Sequence, residues 1–183
     1  MRILAISGSL RRDSHNTALL RAAAGLLAPG HELILYEGLR DVPPYSEDDD
    51  TDPAPAAVAA LRAAVAGADA VLISTPEYNH SIPGVLKNAL DWASRPHATN
   101  VFRGKPVAVI GSSAGLFGAV WAQAELRKVL EAMGALVADV ELGVGLAAEK
   151  FDDEGRLVDD DVRAQLAGAL EALLAQLEPA LAA

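Results

Sequence analysis

Short apolar runs alternate along this chain with longer segments in which apolar residues recur every three or four positions. Arg2–Ser7, His31–Tyr36, Asp69–Thr75, Pro106–Ser112 and Ala135–Val140 are rich in Val, Ile and Leu and have the length of strands. Asn16–Ala28, Ala54–Gly67, Pro83–Ala93, Gly118–Met133 and Asp159–Leu177 carry helical spacing. The stop signals agree. Pro29-Gly30 follows the first helix, Gly67 ends the second and Gly134 follows the fourth, with Asp, Ser and Asn gathered before the starts. The strand runs are apolar at consecutive positions, so both faces of their sheet must be covered by helices. Five β-α units with right-handed crossovers then make a doubly wound α/β sandwich. No repeat, linker or change of composition marks a second unit, and residues 1–183 read as one domain. The last residues, Glu178–Ala183 with Pro179, are expected to fray.

Composition narrows the chemistry. Of the 183 residues, 37 are alanine, which carries little burial energy, so the core is expected to rest on the smaller Val/Ile/Leu set. There is no cysteine, which excludes thiol catalysis, disulfides, iron–sulfur clusters and cysteine zinc sites. A net charge of −10 argues against nucleic-acid and anionic-membrane partners, both of which need a basic face. The N-terminal apolar run is too short for a signal peptide, and no stretch has the length of a membrane span. The expectation is a soluble cytoplasmic protein. The acids are also unevenly placed: Glu47–Asp50 with Asp52, Asp152–Glu154 and Asp159–Asp161 hold 11 of the 25 carboxylates. They read as solvated loops and helix starts rather than metal sites, because no Ca²⁺-loop spacing is present.

In an open α/β sheet, ligands sit at the carboxyl ends of the strands, so the loops there hold the candidates. After the first strand comes Gly8-Ser9-Leu10-Arg11-Arg12-Asp13-Ser14-His15-Asn16-Thr17, then a helix. With one glycine it is neither G-x-G-x-x-G nor a Walker loop. Its hydroxyls, amide, guanidiniums and helix-start N–H groups suit a terminal phosphate monoester. The competing reading is a helix cap at Ser14 or Asn16 beside two solvated arginines. After the third strand, Ser74-Thr75-Pro76 stands where a receiver domain would need its acidic phospho-acceptor, which removes that reading. Pro76 and Pro83 stiffen a turn that presents Tyr78 and Asn79, a setting for a planar heterocycle or simply a surface turn. His80 reads as a rim residue and Trp92 as core or interface. After the fourth strand, Gly111-Ser112-Ser113-Ala114-Gly115-Leu116-Phe117-Gly118 lets the backbone approach a ligand edge. Gly38–Pro53, Ser94–Lys105 and Leu142–Asp159 are long enough to be functional rims or interface elements.

These loops together resemble the NADPH-dependent FMN reductases of the flavodoxin-like fold, the group that includes bacterial quinone, chromate and azo-dye reductases. Gly8-Ser9-Leu10-Arg11-x-x-Ser14-x-Asn16 is similar to the family's phosphate loop. The run Pro76-Glu77-Tyr78-Asn79-x-Ser81-x-Pro83-x-x-Leu86-Lys87-Asn88-Ala89-Leu90-Asp91-Trp92 is its most specific signature. Phe151-Asp152-x-x-Gly155-x-Leu157-x-Asp159 before the last helix is also family-like. The resemblance implies a three-layer sandwich on a five-stranded parallel sheet of order 2-1-3-4-5, with FMN at the carboxyl edge. It implies that Ser9, Arg11, Ser14, His15 and Asn16 hold the FMN phosphate. Pro76, Glu77, Tyr78 and Asn79 would line the ribityl chain and ring, largely through backbone groups, and Ser112, Ser113 and Gly115 would border the pyrimidine end.

The implied reaction is hydride transfer from NADPH or NADH, through bound FMN, to a quinone, an azo compound or a similar small acceptor. The flavin carries that chemistry, so no side chain is assigned a catalytic acid or base role. Two alternatives stand beside it: an FMN electron carrier without its own NAD(P)H reaction, and a flavin reductase supplying a monooxygenase. The phosphate loop lacks the T-x-T-G-x-T pattern of flavodoxins, which favours the enzyme. Arg12 reads as a solvated surface arginine rather than a contact to a 2′-phosphate. Trp121 and Ala124 occupy positions where relatives carry an Arg and a Tyr used in subunit contacts. A tetramer built on those contacts is therefore not expected, although an apolar interface on Trp121 would allow a homotetramer; a homodimer is expected, because the resemblance places flavin sites near the subunit boundary.

Overall fold

The computed structural model describes residues 1–177, so the expected fraying of Glu178–Ala183 lies outside the described residues. Six strands form one parallel sheet: β1 (Arg2–Ser7), β2 (Glu32–Tyr36), β3 (Ala70–Thr75), β4 (Pro106–Ser112), β5 (Leu136–Val137) and β6 (Gly143–Val144). The order is β2-β1-β3-β4-β5, with β6 also paired to β4. The helices are α1 (His15–Ala24), α2 (Ala56–Ala66), α3 (Gly84–Ala93), α4 (Val120–Ala132) and α5 (Asp160–Ala175). This is the doubly wound, flavodoxin-like arrangement.

The consecutive apolar residues of the strands divide between two cores. Leu4, Ile6, Val71, Ile73, Val107 and Val109 face α2, α3 and α4. Their neighbours Ile3, Ala5, Ala70, Leu72, Ala108 and Ile110 face α1 and α5. Burial on both faces leaves no polar position along β3 or β4 until their ends. The alanines have a sharper part than their burial energy suggests. Ala5, Ala70 and Ala108 lie fully buried on one face of three neighbouring strands, which leaves room for α1 and α5 to sit close to the sheet.

Two elements depart most from the sequence expectation. The first helix ends at Ala24 rather than Ala28, because the Gly25 N–H closes the last turn on the Ala22 carbonyl. The fifth strand, expected as Ala135–Val140, is divided. Val107 pairs with Val137 and Gly111 with Gly143, so four steps along β4 match six along its neighbour and two residues bulge out. The Val140 carbonyl in that bulge accepts a hydrogen bond from the Arg127 guanidinium. The five-stranded sheet implied by the resemblance is therefore five positions filled by six strands.

The segment Gly38–Pro53 is also less free than a rim loop. Trp92 is fully buried, and its indole N–H and the Asn88 amide both donate to the Pro43 carbonyl at 2.8 Å. Tyr45 meets the Trp92 ring edge-on, and Arg62 joins Asp50 to the Trp92 carbonyl. The β2–α2 connection is thereby held against α3, which holds the carboxyl edge open on that side.

Candidate functional site

Strand register brings the three candidate loops to one level. Ser7 pairs with Ser74 and Thr75 with Gly111, so β1, β3 and β4 end side by side. Asn16, on the first turn of α1, ties the ends of β3 and β4 together. Its amide N–H donates to the Ser112 carbonyl at 2.9 Å. Its amide oxygen accepts from the Ser112 N–H at 3.0 Å and the Ser74 hydroxyl at 2.8 Å. Asn16 is only 4% exposed. The resemblance implies that Asn16 holds phosphate; the structure shows its side chain engaged with the protein's own strands, a positioning role.

The rest of the β1–α1 loop keeps its donors open. Ser14 caps α1, its hydroxyl accepting from the Asn16 N–H at 3.2 Å. The Ser9 hydroxyl accepts from the Arg11 N–H at 3.4 Å, while the Arg11 and Arg12 side chains are exposed. Thr17 donates to the Ser7 hydroxyl at 2.9 Å and steadies the strand end beneath. His15 stacks on Phe151 with ring centroids 5.3 Å apart. Burial, then the nearby Arg11 charge, holds its pKa below the ordinary value of 6.5, so the ring is uncharged at neutral pH. Phe151 lies far along the chain in the family-like segment before α5, and only the fold brings it to the phosphate loop.

The loop after β3 forms a tight turn. Tyr78 and Ser81 exchange both backbone hydrogen bonds, at 3.0 and 3.1 Å. Asn79 and His80 between them sit at φ 53° and 60°, the left-handed pair of a primed hairpin turn. Tyr78 is consequently half exposed, while Pro76 is buried beneath it. Glu77 does something that sequence reading missed. Its carboxylate accepts from the N–H groups of Trp121 and Ala122, each at 3.1 Å, and so caps α4 from 44 residues away. A local S/T/D/N signal is what cap searches use, and Ala119 at the N-cap position offers none. Glu77→Ala is expected to destabilise the fold by about 1 kcal/mol, a fall in melting temperature of roughly 2–4 °C. An unchanged thermal transition would remove the capping role.

Of the two glycines in the loop after β4, one faces outward and one serves packing. A Cβ on Gly115 would meet nothing closer than the Ser113 hydroxyl at 3.9 Å. Gly118 has φ +57°, and a Cβ there would lie 2.2 Å from the Gly143 carbonyl carbon. The close approach expected toward a ligand is, at Gly118, an approach to the chain's own β6. It fixes the loop on Gly143–Gly145, where Leu146 N–H donates to the Gly115 carbonyl at 2.9 Å. Ser113 turns its hydroxyl onto the Gly115 carbonyl at 3.2 Å. Ser112 is 1% exposed, and its hydroxyl has no partner among the described residues. An unpaired buried hydroxyl is costly, and this one belongs to the residue that ends β4 at the carboxyl edge.

The donor set therefore fits FMN. Open Ser9 and Arg11 donors at a helix start suit a phosphate monoester, and a stiff turn with an unpaired hydroxyl across from it suits a polar-edged ring. Beyond this edge, Leu116, Phe117, Val120 and Trp121 are exposed, with Phe117 and His80 packed edge-on against Trp121 at 5.1 and 5.0 Å. Among the described residues, no helix is long and apolar enough to cross a membrane.

The family model for NADPH-dependent FMN reductases matches residues 1–149. An NAD(P)H-dependent FMN reductase of Pseudomonas aeruginosa is 44% identical over 174 residues, 94% of this chain and 93% of the relative. A 2-hydroxy-1,4-benzoquinone reductase of a Burkholderia species is 42% identical over 167 residues, covering 91% of this chain and 90% of the relative. Among solved structures, the flavoenzyme NAD(P)H:(acceptor) oxidoreductase of Paracoccus denitrificans superposes with a TM-score of 0.88 at 37% identity, covering 97% of each chain.

Proposed function

The chain belongs to the NADPH-dependent FMN reductase family, and from that premise we propose how its loops serve the FMN-dependent oxidation of NAD(P)H. The observation that carries the reading is the single level at which β1, β3 and β4 end, with Asn16 joining the ends of β3 and β4 and Thr17 bonded to the end of β1. Ser9, Arg11, Ser14 and His15 hold the flavin phosphate, with the Arg11 guanidinium as the charged partner. Pro76, Glu77, Tyr78 and Asn79 line the ribityl chain and ring through the backbone of the primed turn. Ser112, Ser113 and Gly115 border the pyrimidine edge, where the unpaired Ser112 hydroxyl finds an acceptor.

When bound, FMN supplies the relay that takes a hydride from the nicotinamide and passes it to an acceptor. The chain's residues bind and orient. Tyr78 leaves one face of the site open to solvent-borne substrates, and the Glu77 cap keeps α4 and its loop in place behind the ring. The acceptor is a quinone or a similar small molecule, as the names of the relatives suggest. The protein works as one domain and as a homodimer, the exposed surface around Phe117 and Trp121 supplying the apolar contact.

Anaerobic addition of NADPH to the FMN-loaded protein is expected to bleach the yellow flavin absorbance, and a small quinone to restore it. Persistent colour after both NADPH and NADH would leave only an electron carrier. Release of flavin during turnover, read by gel filtration, would assign it instead to supplying reduced FMN.

A further inference from the structure

Next to the phosphate loop, on the β2 side, lies a pocket of about 260 Å³. Four arginines line it: Arg11 and Arg12 from the loop, Arg21 from α1 and Arg40 from the turn after β2. Tyr36 and Leu39 give it an apolar wall. The Leu10 carbonyl accepts from the Arg40 guanidinium at 2.9 Å and holds that side chain across the opening. In this protein of net charge −10, Arg2, Arg62, Arg156 and Arg163 each have a carboxylate partner, while Arg95, Arg103 and Arg127, each away from this pocket, have none among the described residues. Among the described residues, none of the four pocket arginines has one, although Glu37 lies on the same lining. Four like charges around one cavity repel one another, and an anion relieves that repulsion.

The flavin phosphate accounts for one of these charges, not for all. We propose that Arg21 and Arg40, with Arg12, form a second phosphoryl subsite that receives the 2′-phosphate of the adenosine ribose of NADPH and so sets preference for NADPH over NADH. This inference rests on the NAD(P)H oxidation described above. A monoester carries close to two negative charges at neutral pH and presents three acceptor oxygens, which matches a fork of guanidiniums better than a hydroxyl does. The cavity is too small for a whole nucleotide but admits a phosphoryl group with its ribose against Tyr36. The reach is also right. The β1–β2 boundary lies two strand spacings, about 10 Å, from the β3–β4 boundary where the flavin ring sits. A dinucleotide with its nicotinamide on the ring spans that distance along the carboxyl edge.

The test uses FMN-loaded protein and the variant Arg21→Gln, which lies outside the flavin phosphate loop and, unlike Arg40 with its bond to the Leu10 carbonyl, makes no hydrogen bond to it. Calorimetric titration reads the subsite without turnover. The unsubstituted protein is expected to bind adenosine 2′-monophosphate at least tenfold more tightly than adenosine 5′-monophosphate, and the variant to lose that difference. In steady state, the ratio of kcat/KM for NADPH to that for NADH should fall at least tenfold in the variant, with flavin content retained. Equal binding of the two mononucleotides by the unsubstituted protein overturns the proposal, as does an equal loss with NADPH and NADH. Loss of FMN from the variant would give Arg21 to the flavin phosphate and also overturn it. So would an FAD preference that disappears in the variant, which would mark the pocket as a flavin adenylate site. If the unsubstituted protein oxidises neither nucleotide, the family reading fails, and the mononucleotide titration still decides the subsite.

Discussion

Asn16→Ala is expected to lower the unfolding free energy by about 3–5 kcal/mol and to empty the flavin site with it. The substitution removes three hydrogen bonds and leaves the Ser112 N–H, the Ser112 carbonyl and the Ser74 hydroxyl buried without partners. Each orphaned group costs about 1–3 kcal/mol. Those groups sit where β3 and β4 end, beside the β1–α1 loop that leads into Asn16, so the loss falls on the geometry of the loops around the site. In a chain of this size the melting temperature should drop by roughly 10 °C. Denaturant unfolding and flavin content, measured on one preparation, check the result. A variant of full stability that merely binds FMN weakly would return Asn16 to the phosphate.

For Arg11→Ala the expected effect is on one ligand and not on the fold. FMN binding should weaken roughly 10- to 100-fold, the value of a charge-assisted hydrogen bond to phosphate, while riboflavin binding changes by no more than about threefold. The Arg11 side chain is exposed, and its backbone N–H to the Ser9 hydroxyl survives the substitution, so the loop keeps its shape. Fluorescence titration of the apoprotein with the two flavins makes the comparison. Equal losses for both would remove Arg11 from the phosphate.

The two variants separate what could be read locally from what could not. Asn16 and Arg11 stand five positions apart in the same loop, and the family resemblance gave them one role. Arg11 keeps an open guanidinium, whereas Asn16 is taken up by partners 58 and 96 residues away. Glu77 shows the same limit. Its place in the P-E-Y-N run marked it as part of the site, yet its carboxylate caps a helix that begins more than 40 residues later. Elements were legible where one force dominated. β1 and β4 begin and end where the sequence predicted, because strands buried on both faces carry an unbroken apolar run. The fifth strand was not, because its bulge answers to the Arg127 guanidinium on α4 and to the Gly118–Gly143 approach, neither of which leaves a periodic signal.

By itself the sequence determined the α/β class, the alternation of strands and helices, the three loops at the carboxyl edge and the flavin chemistry they resemble. Each is written in neighbours a few residues apart: an apolar run, a helical repeat, a loop of donors before a helix. Only the tertiary structure decided which of those donors remain free. It also decided that Arg21, a charge on the outer face of α1, and Arg40, beyond the next strand, meet Arg11 and Arg12 around one pocket. Sequence alone left Arg12 a solvated arginine. Parallel strand register sets residues tens of positions apart side by side, and the charge density and hydrogen-bond accounts of a site are settled at that distance.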